Sequence, residues 1–172
     1  MQMIRKLGTL LSSSVGLMLV TVSVACPQTI TDEPKRQVFR INEKWSYLED
    51  NVASIEQLGQ LKQQWQYVDL PHTWNRFDAV DQVPGYRRSA SWYKKELFIP
   101  ESKSDRRYLL DFEGVNVKSE VYVNGTRAGG HIGGYLGFSI DMTSLLKKGE
   151  ANTILVRADN SYDPNVIPSQ KS

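Results

Sequence analysis

Few side chains in this sequence have the chemistry of nucleophiles, metal ligands or general bases. The 172-residue chain contains two histidines, His72 and His131, and one cysteine, Cys26. A structural zinc site takes four ligands, mostly cysteine and histidine, so these three residues cannot form one. The Gly-x-Ser-x-Gly sequence of α/β-hydrolases is also absent. We therefore expect no metal centre, no cofactor and no nucleophilic triad.

One pair of carboxylates is spaced so that the two groups could act together in catalysis. Asp111 and Glu113 are two residues apart in a predicted strand, so their side chains lie on the same face. Paired carboxylates hydrolyse glycosides only when they flank the bond, one protonated and one ionised. Neighbours on one polar strand face are more often solvated, and we expect the same here.

A glycine-rich segment, residues 129–134, could be taken for a phosphate-binding loop. It lacks the Gly-Lys-Ser/Thr ending of such loops. We interpret it as a turn that needs small residues and positive φ.

Aromatic and cationic residues could bind a sugar or an anion. The four tryptophans could stack on sugar rings, although a tryptophan in a β-sandwich is more often a core residue; they are Trp45, Trp65, Trp74 and Trp92. Arg87 and Arg88 could contact an anion or form a solvated turn. The residue types alone leave these alternatives open.

The elements that must position these residues are mainly short strands. Apolar and polar residues alternate in segments 93–99, 108–112, 117–123 and 154–158, which is typical of half-buried antiparallel strands. Asn124-Gly125 predicts a tight hairpin, because both residues tolerate positive φ. Ser54, followed by Gln57, predicts a capped helix, and residues 143–146 predict a second short helical turn. The pattern favours a β-sandwich or jelly roll.

The first 25 residues have the pattern of a secretory signal peptide. Arg5 and Lys6 precede an apolar stretch, residues 7–25, and small residues surround the expected cleavage site after Ala25. The alternative, a membrane-spanning anchor, is disfavoured by the short apolar run and its polar residues. We expect an exported protein, periplasmic or at the cell surface.

Cys26 would then be the first residue of the mature chain. A lone cysteine in an exported chain has no partner for an internal disulfide. Val24-Ala25-Cys26 resembles the lipobox of bacterial lipoproteins, which predicts lipidation of Cys26 and membrane contact only through that anchor. Residues 26–36 are interpreted as a polar tether.

Charge and length exclude other classes of protein. The chain has 21 basic and 19 acidic residues, and loss of Arg5 and Lys6 with the signal leaves 19 of each. This balance does not favour a nucleic-acid partner. A (β/α)₈ barrel needs about 250 residues, so the chain is too short to be one.

Three stretches in order resemble the N-terminal sugar-binding domain of glycoside hydrolase family 2, the family of β-galactosidases, β-glucuronidases and β-mannosidases. They are residues 65–75, residues 86–95, and a third stretch that covers 112–138, 140–143 and 156–160. The resemblance extends over residues 37–165. It implies a jelly-roll β-sandwich similar to galactose-binding modules, with one or two short helices and without its closing strands.

The resemblance also implies a function that this chain does not complete by itself. Family members continue into an immunoglobulin-like sandwich and a catalytic barrel that carries both catalytic glutamates. We expect residues 166–172 to begin a linker towards those domains, and the chain alone to be an inactive part of an O-glycosyl hydrolase. The alternative is a free-standing, lipid-anchored glycan-binding module. In the first case, we expect an unpaired sheet edge beside the last strand, around residues 154–158.

A loop of this domain contacts the terminal sugar in several relatives. The matching loop here is Arg88-Ser89-Ala90-Ser91, just before Trp92. The resemblance implies that Arg88, Ser89 and Trp92 bind carbohydrate, with hydrogen-bond donors and an aromatic face. The alternative for Trp92 is a core position. His72 and Trp74 are expected to lock the Leu-Pro-His loop and not to touch the sugar. The sequence does not predict which sugar binds.

Overall fold

The computed structural model describes residues 36–49, 52–61, 64–75, 87–101 and 106–166. The chain divides into two units, residues 1–38 and 39–172, and every described strand and helix lies in the second. The predicted signal, Cys26, the tether up to residue 35 and the linker after Val166 lie outside the described residues. Among the described helices, none has the length and apolar character needed to cross a bilayer.

The described part of the second unit contains eight strands, one short α-helix and one 3₁₀ turn. The strands are β1 (Trp45–Leu48), β2 (Gln66–Val68), β3 (Ala90–Ile99), β4 (Leu109–Phe112), β5 (Lys118–Val123), β6 (Thr126–Ile132), β7 (Phe138–Asp141) and β8 (Glu150–Asp159). Helix α1 covers Ile55–Gln60, and the 3₁₀ turn covers Thr143–Leu145.

The strands form two antiparallel sheets. The larger sheet has the order β2-β1-β3-β8-β5-β6, and the smaller one pairs β4 with β7. Their facing sides share one core, in which Leu110 and Ile140 of the small sheet join Val121, Val123 and other large-sheet residues. This arrangement confirms the predicted all-β sandwich.

Alternation along the strands explains how the sheets bury their apolar residues. In β8, Asn152, Ile154, Val156 and Ala158 are buried, and the residues between them are partly exposed. This is the period-two pattern of a strand with one face on a core.

The outer face of the large sheet carries a second, smaller core. Leu58 of α1 packs there with Leu48 and Trp92. As the sequence predicts, the Ser54 hydroxyl caps α1 by accepting from the Gln57 amide, and the Gln57 side chain accepts in return from the Ala53 amide.

The predicted hairpin is present between β5 and β6. Asn124 and Gly125 have φ values of 50° and 84°, which is the geometry that favours Asn-Gly. The Asn124 side chain also accepts from the Thr153 amide at 3.0 Å, so the hairpin is fixed to β8 as well.

Two expectations about the strands were wrong. The last strand, β8, does not lie beside an open edge, because it pairs with β3 on one side and β5 on the other. Gly129 and Gly130 do not form a turn but lie within β6. The neighbouring strand leaves no room for a side chain here, because a Cβ at Gly130 would be 2.6 Å from the Ser119 carbonyl oxygen. Within the glycine-rich segment, Gly133 has the expected positive φ, 127°.

Candidate functional site

The predicted sugar-binding residues lie where several strands of the large sheet end together. The register pairs Leu48 with Trp92 and Ala90 with Asp159. The end of β1, the beginning of β3 and the end of β8 are therefore neighbours. Residues 87–89, which lead into β3, lie at this end of the sheet, and we call them the 87–89 segment.

Asn160 fixes the backbone of the 87–89 segment. Its side-chain oxygen accepts from the Ser89 amide at 2.8 Å, and its side-chain nitrogen donates to the Arg87 carbonyl at 2.9 Å. Its own amide is 3.4 Å from the Ser89 carbonyl. A single amide side chain thus satisfies a donor and an acceptor of a segment 71 to 73 residues away in sequence.

Arg87 is engaged by the domain itself. Its guanidinium donates to Ser91 Oγ at 2.9 Å and to the Ala90 carbonyl at 2.7 Å, and its Nε is 3.1 Å from a carboxylate oxygen of Glu49. Its Cζ also lies 5.3 Å from the centroid of the Trp74 ring, within cation–π distance. These contacts make Arg87 a positioning residue at this end of the sheet.

An aromatic cluster covers the adjacent inner face of the sheet. The rings of Tyr47 and His72 have centroids 4.7 Å apart, and those of Tyr47 and Tyr93 are 5.2 Å apart. His72 Nδ1 lies 2.9 Å from the Tyr93 hydroxyl. Trp74 also packs against Tyr47, so His72 and Trp74 hold their loop against the sheet, in agreement with the prediction.

Burial shifts the pKa values of side chains in this cluster. The pKa of His72 is lowered, because desolvation disfavours the charged imidazolium. Burial raises the pKa of the Tyr93 hydroxyl, and the neighbouring Tyr47 raises it further. Both side chains are therefore neutral at pH 7, which suits a hydrogen-bonded aromatic contact.

The end of β8 adds a carboxylate to this region. Although burial opposes it, hydrogen bonds from Ser161 together with nearby Arg157 lower the pKa of Asp159. Its carboxylate is 3.1 Å from the Arg157 guanidinium. Asp159 is therefore ionised and forms an ion pair with Arg157 on the outer face of the large sheet. It is the last residue of β8 and directly precedes Asn160.

Arg88 and Ser89 are half-buried at this end of the sheet. Among the described residues, none forms a hydrogen bond or ion pair with the Arg88 guanidinium, in contrast to the contacts of its neighbour Arg87. The arrangement therefore holds the backbone rigidly and leaves one cationic side chain available. Such a guanidinium can donate to hydroxyl or carboxylate oxygens.

Trp92 lies in the interior of the domain and not at a surface where its ring could stack on a sugar. It has 0% exposure, and its indole N–H donates to the Val52 carbonyl at 3.1 Å. Its ring packs beside Tyr122 in the smaller core. The structure offers no exposed face of this ring to a sugar, which corrects that part of the prediction and agrees with the alternative of a core position.

The other chemical candidates lie away from this site. Asp111 and Glu113 are exposed at the small sheet, and Asp111 accepts from the Ser139 hydroxyl. Trp45 is buried, and Lys94 lies over the ring of Trp65 at 4.8 Å. Within the described ranges, no three His, Cys, Asp or Glu side chains come together in a way that could hold a metal ion.

Comparison with known protein families identifies the family of this chain. Residues 37–171 match the family described as "Glycosyl hydrolases family 2, sugar binding domain". The chain belongs to glycoside hydrolase family 2. The match covers the whole region in which the sandwich and the 87–89 segment lie.

Individual family 2 relatives support this assignment. A Formosa agariphila protein with a provisional β-glucuronidase name is 59% identical over 132 residues, covering 77% of this chain and 16% of its own length. A Bacteroides fragilis β-glucuronidase is 33% identical and covers 92% of this chain and 20% of its own length. The chain thus spans about a fifth or less of these relatives.

Solved structures show the same sandwich in family 2 proteins. The crystal structure of a Bacteroides fragilis protein, provisionally named β-galactosidase, has a TM-score of 0.70 and 38% identity. It aligns with 78% of this chain and 20% of its own. A Bacteroides uniformis β-glucuronidase has a TM-score of 0.68 and 26% identity, with 80% of this chain and 16% of its own aligned.

Sequence reasoning found the segment but missed what holds it. Asn160 was noted only as the end of a matching stretch, and Glu49 was not singled out. Their role depends on the antiparallel register, which brings residues 49, 87 and 160 to one end of the sheet. No local pattern carries that information.

Proposed function

We propose that this family 2 domain is the non-catalytic N-terminal part of an exported glycosidase that acts on β-glucuronides or β-galactosides. In this proposal the domain holds the 87–89 segment rigidly beside the substrate, and Arg88 donates hydrogen bonds to the terminal sugar. Hydrolysis takes place on the barrel of the same enzyme.

The observation that carries the proposal is the contrast between Arg87 and Arg88. Arg87 is fully engaged within the domain, and Asn160 fixes the backbone on both sides of Arg88. A fixed backbone with an uncommitted guanidinium is what a pre-organised donor requires. The names of the relatives supply the two substrate classes.

The test grafts this domain onto a complete relative. Residues 37–166 replace the matched region of the 59% identical Formosa agariphila protein, and hydrolysis of 4-nitrophenyl β-D-glucuronide and β-D-galactoside is measured. We expect an active chimera, in which Arg88→Ala lowers kcat/KM about 10- to 100-fold on one of the two substrates, as expected for a lost hydrogen bond from a charged group.

Arg106→Ala, a change at an exposed arginine outside the site, is the matched control and should leave kcat/KM unchanged. The 172-residue chain by itself should show no turnover on either substrate. Hydrolysis by the isolated chain would contradict its non-catalytic role, and equal rates for Arg88→Ala and Arg106→Ala would contradict the role of Arg88.

Export and lipid attachment are part of the same proposal. The n-region, the apolar stretch and Cys26 support them. Labelling of the expressed protein with radioactive palmitate should occur in the wild type and disappear in Cys26→Ser, whereas cytoplasmic, unlabelled wild-type protein would contradict the proposal.

A further inference from the structure

A cleft opens on the outer face of the large sheet, between helix α1 and strands β3 and β8. Its volume is about 310 Å³, which is at the lower end of the range of about 300–1,000 Å³ for small-molecule pockets. Its apolar lining consists of Ile55, Leu58, Leu61, Trp65 and Leu155. Gly59 and Lys94 complete the lining, and we call these seven residues the outer cleft.

The register and the packing place these side chains around one space. Lys94 pairs with Leu155 across β3 and β8, so both side chains point to the outer face. Ile55, Leu61 and Trp65 pack against the smaller core that holds α1 on the sheet. The walls of the outer cleft are therefore fixed by the fold before any ligand binds.

Lys94 places a positive charge beside the apolar walls. Its ammonium lies 4.8 Å from the centroid of the Trp65 ring, within cation–π distance. This contact leaves the N–H groups of the ammonium able to donate. Among the described residues, no carboxylate forms an ion pair with Lys94, and its cross-strand neighbours, Ser46 and Leu155, are uncharged. The ammonium is therefore available to an anion.

Gly59 enlarges the outer cleft at a cost to the helix. Glycine is less favourable inside a helix than any residue except proline, and Gly59 does not have a positive φ that would require it. A Cβ at this position would meet nothing within 4 Å, so packing in the described part of the domain does not require glycine either. Ile55 and Gly59 are four residues apart and share one helix face. The missing side chain thus leaves space in the cleft.

The chemistry of the lining favours an apolar anion over a sugar. Trp65 and Lys94 are the only lining side chains with a polar atom, and both of them only donate. A sugar presents several hydroxyls, and hydroxyls that are buried without partners are unfavourable. A carboxylate on an aromatic ring system presents acceptors to the ammonium and an apolar body to the walls, where Trp65 supplies an aromatic contact.

We propose that the outer cleft binds a small aromatic carboxylate. The ring system lies between α1 and Leu155, and the carboxylate forms an ion pair with the Lys94 ammonium. The apolar walls strengthen this pair relative to one in bulk water, because they lower the local dielectric constant. Binding does not depend on the proposed function, since the lining contains no residue of the 87–89 segment.

Calorimetric titration of the 172-residue chain with naphthalene-2-carboxylate tests this proposal. We expect one-to-one binding with a Kd below about 1 mM. The uncharged analogue naphthalene-2-methanol should bind about tenfold more weakly or worse, because it cannot form the charged contact with Lys94. The largest shifts of amide NMR signals on addition of the acid should occur at residues 55–61, 94 and 155.

Three variants separate binding from folding. Gly59→Leu fills the cleft and should weaken binding of the acid about tenfold or more, while the free energy of unfolding stays equal or rises, since leucine favours a helix. Lys94→Met keeps an apolar stem without the charge, and should bind the acid and the alcohol equally. Lys148→Met, at an exposed lysine outside the cleft, is the matched control and should bind as the wild type does.

Absence of binding by naphthalene-2-carboxylate overturns the proposal, as does unchanged binding in Gly59→Leu or an unchanged preference for the acid in Lys94→Met. NMR shifts confined to the 87–89 segment would also overturn it. D-Glucuronate carries the same charge on a polar ring and should bind more weakly than naphthalene-2-carboxylate. Tighter binding of D-glucuronate would assign the cleft to a sugar acid, and the proposal would then be wrong.

Discussion

Asn160 connects two distant parts of the chain through one amide group. Its oxygen and nitrogen bond to the backbone on either side of Arg88. Backbone groups that lose such partners while partly buried must find water or remain unsatisfied. The position of the 87–89 segment therefore depends on a residue that touches no sugar in the proposed mechanism.

Asn160→Ala should lower the free energy of unfolding by about 1–3 kcal/mol, since it removes two hydrogen bonds of partly buried groups. Asn160→Asp keeps the acceptor for Ser89 but loses the donor to the Arg87 carbonyl, and should also destabilise. Urea denaturation of the isolated chain measures both. Asn42→Ala, at an exposed asparagine, is the control, and an equal effect there would refute the role of Asn160.

His72 should make stability depend on pH. Its pKa is lowered in the folded protein, so below pH 6.5 the unfolded chain binds more protons than the folded one. Stability from this group is complete above pH 6.5 and is lost as the pH falls through the folded-state pKa.

Urea denaturation between pH 7.5 and pH 5.5 should show this loss in the wild type and a smaller loss in His72→Asn. Parallel curves for the two proteins would mean that another group is responsible. The prediction concerns how steeply the free energy of unfolding changes with pH and not its absolute value, because the substitution also removes the contact with the Tyr93 hydroxyl.

At the scale of elements, β6 depends on two glycines that look alike in sequence but differ in their surroundings. A Cβ at Gly130 would be 2.6 Å from the backbone oxygen of Ser119, whereas one at Gly129 would be 2.8 Å from Cδ1 of Ile140. A backbone atom of the neighbouring strand cannot move without breaking the ladder. The end of an isoleucine side chain can.

Gly130→Ala should therefore destabilise the chain by about 1–3 kcal/mol, and Gly129→Ala by less. Gly59→Ala is the matched control, because a Cβ in α1 would meet nothing within 4 Å. It should stabilise the chain by up to about 1 kcal/mol. Thermal unfolding followed by circular dichroism gives the order, and a Gly129 variant less stable than the Gly130 variant would contradict this account.

Local sequence signals predicted the hairpin and the helix cap better than they predicted which strands lie side by side. The Asn124-Gly125 hairpin and the Ser54 cap follow from backbone conformation and short-range hydrogen bonds, so both were predicted correctly. The burial of Trp92 and the clamp by Asn160 depend on which strands lie side by side. The alternation of apolar and polar residues shows that a strand has one buried and one exposed face. It does not show which strands pair with it.

For the molecule as a whole, the position of β8 is the decisive feature. It pairs with β3 over ten residues and with β5 over six. Without it, the β2-β1-β3 and β5-β6 parts of the large sheet have no ladder between them. The sequence did not predict this, because strand order is set by contacts between residues far apart.

A chain that ends at residue 149 should fail to fold, whereas one that ends at Val166 should unfold cooperatively. The loss of β8 removes Ile154, Val156 and Ala158 from the core. Circular dichroism and the dispersion of amide NMR signals distinguish the two. A native-like spectrum from the shorter chain would show that the two parts of the sheet hold together without β8.

The central place of β8 also sets the order of events during synthesis. Since the strand that joins both halves of the large sheet comes after all the other described strands in the sequence, the sheet cannot close until almost the entire described domain has left the ribosome. Pairing between distant segments is slow, so the growing chain spends that time without its finished core.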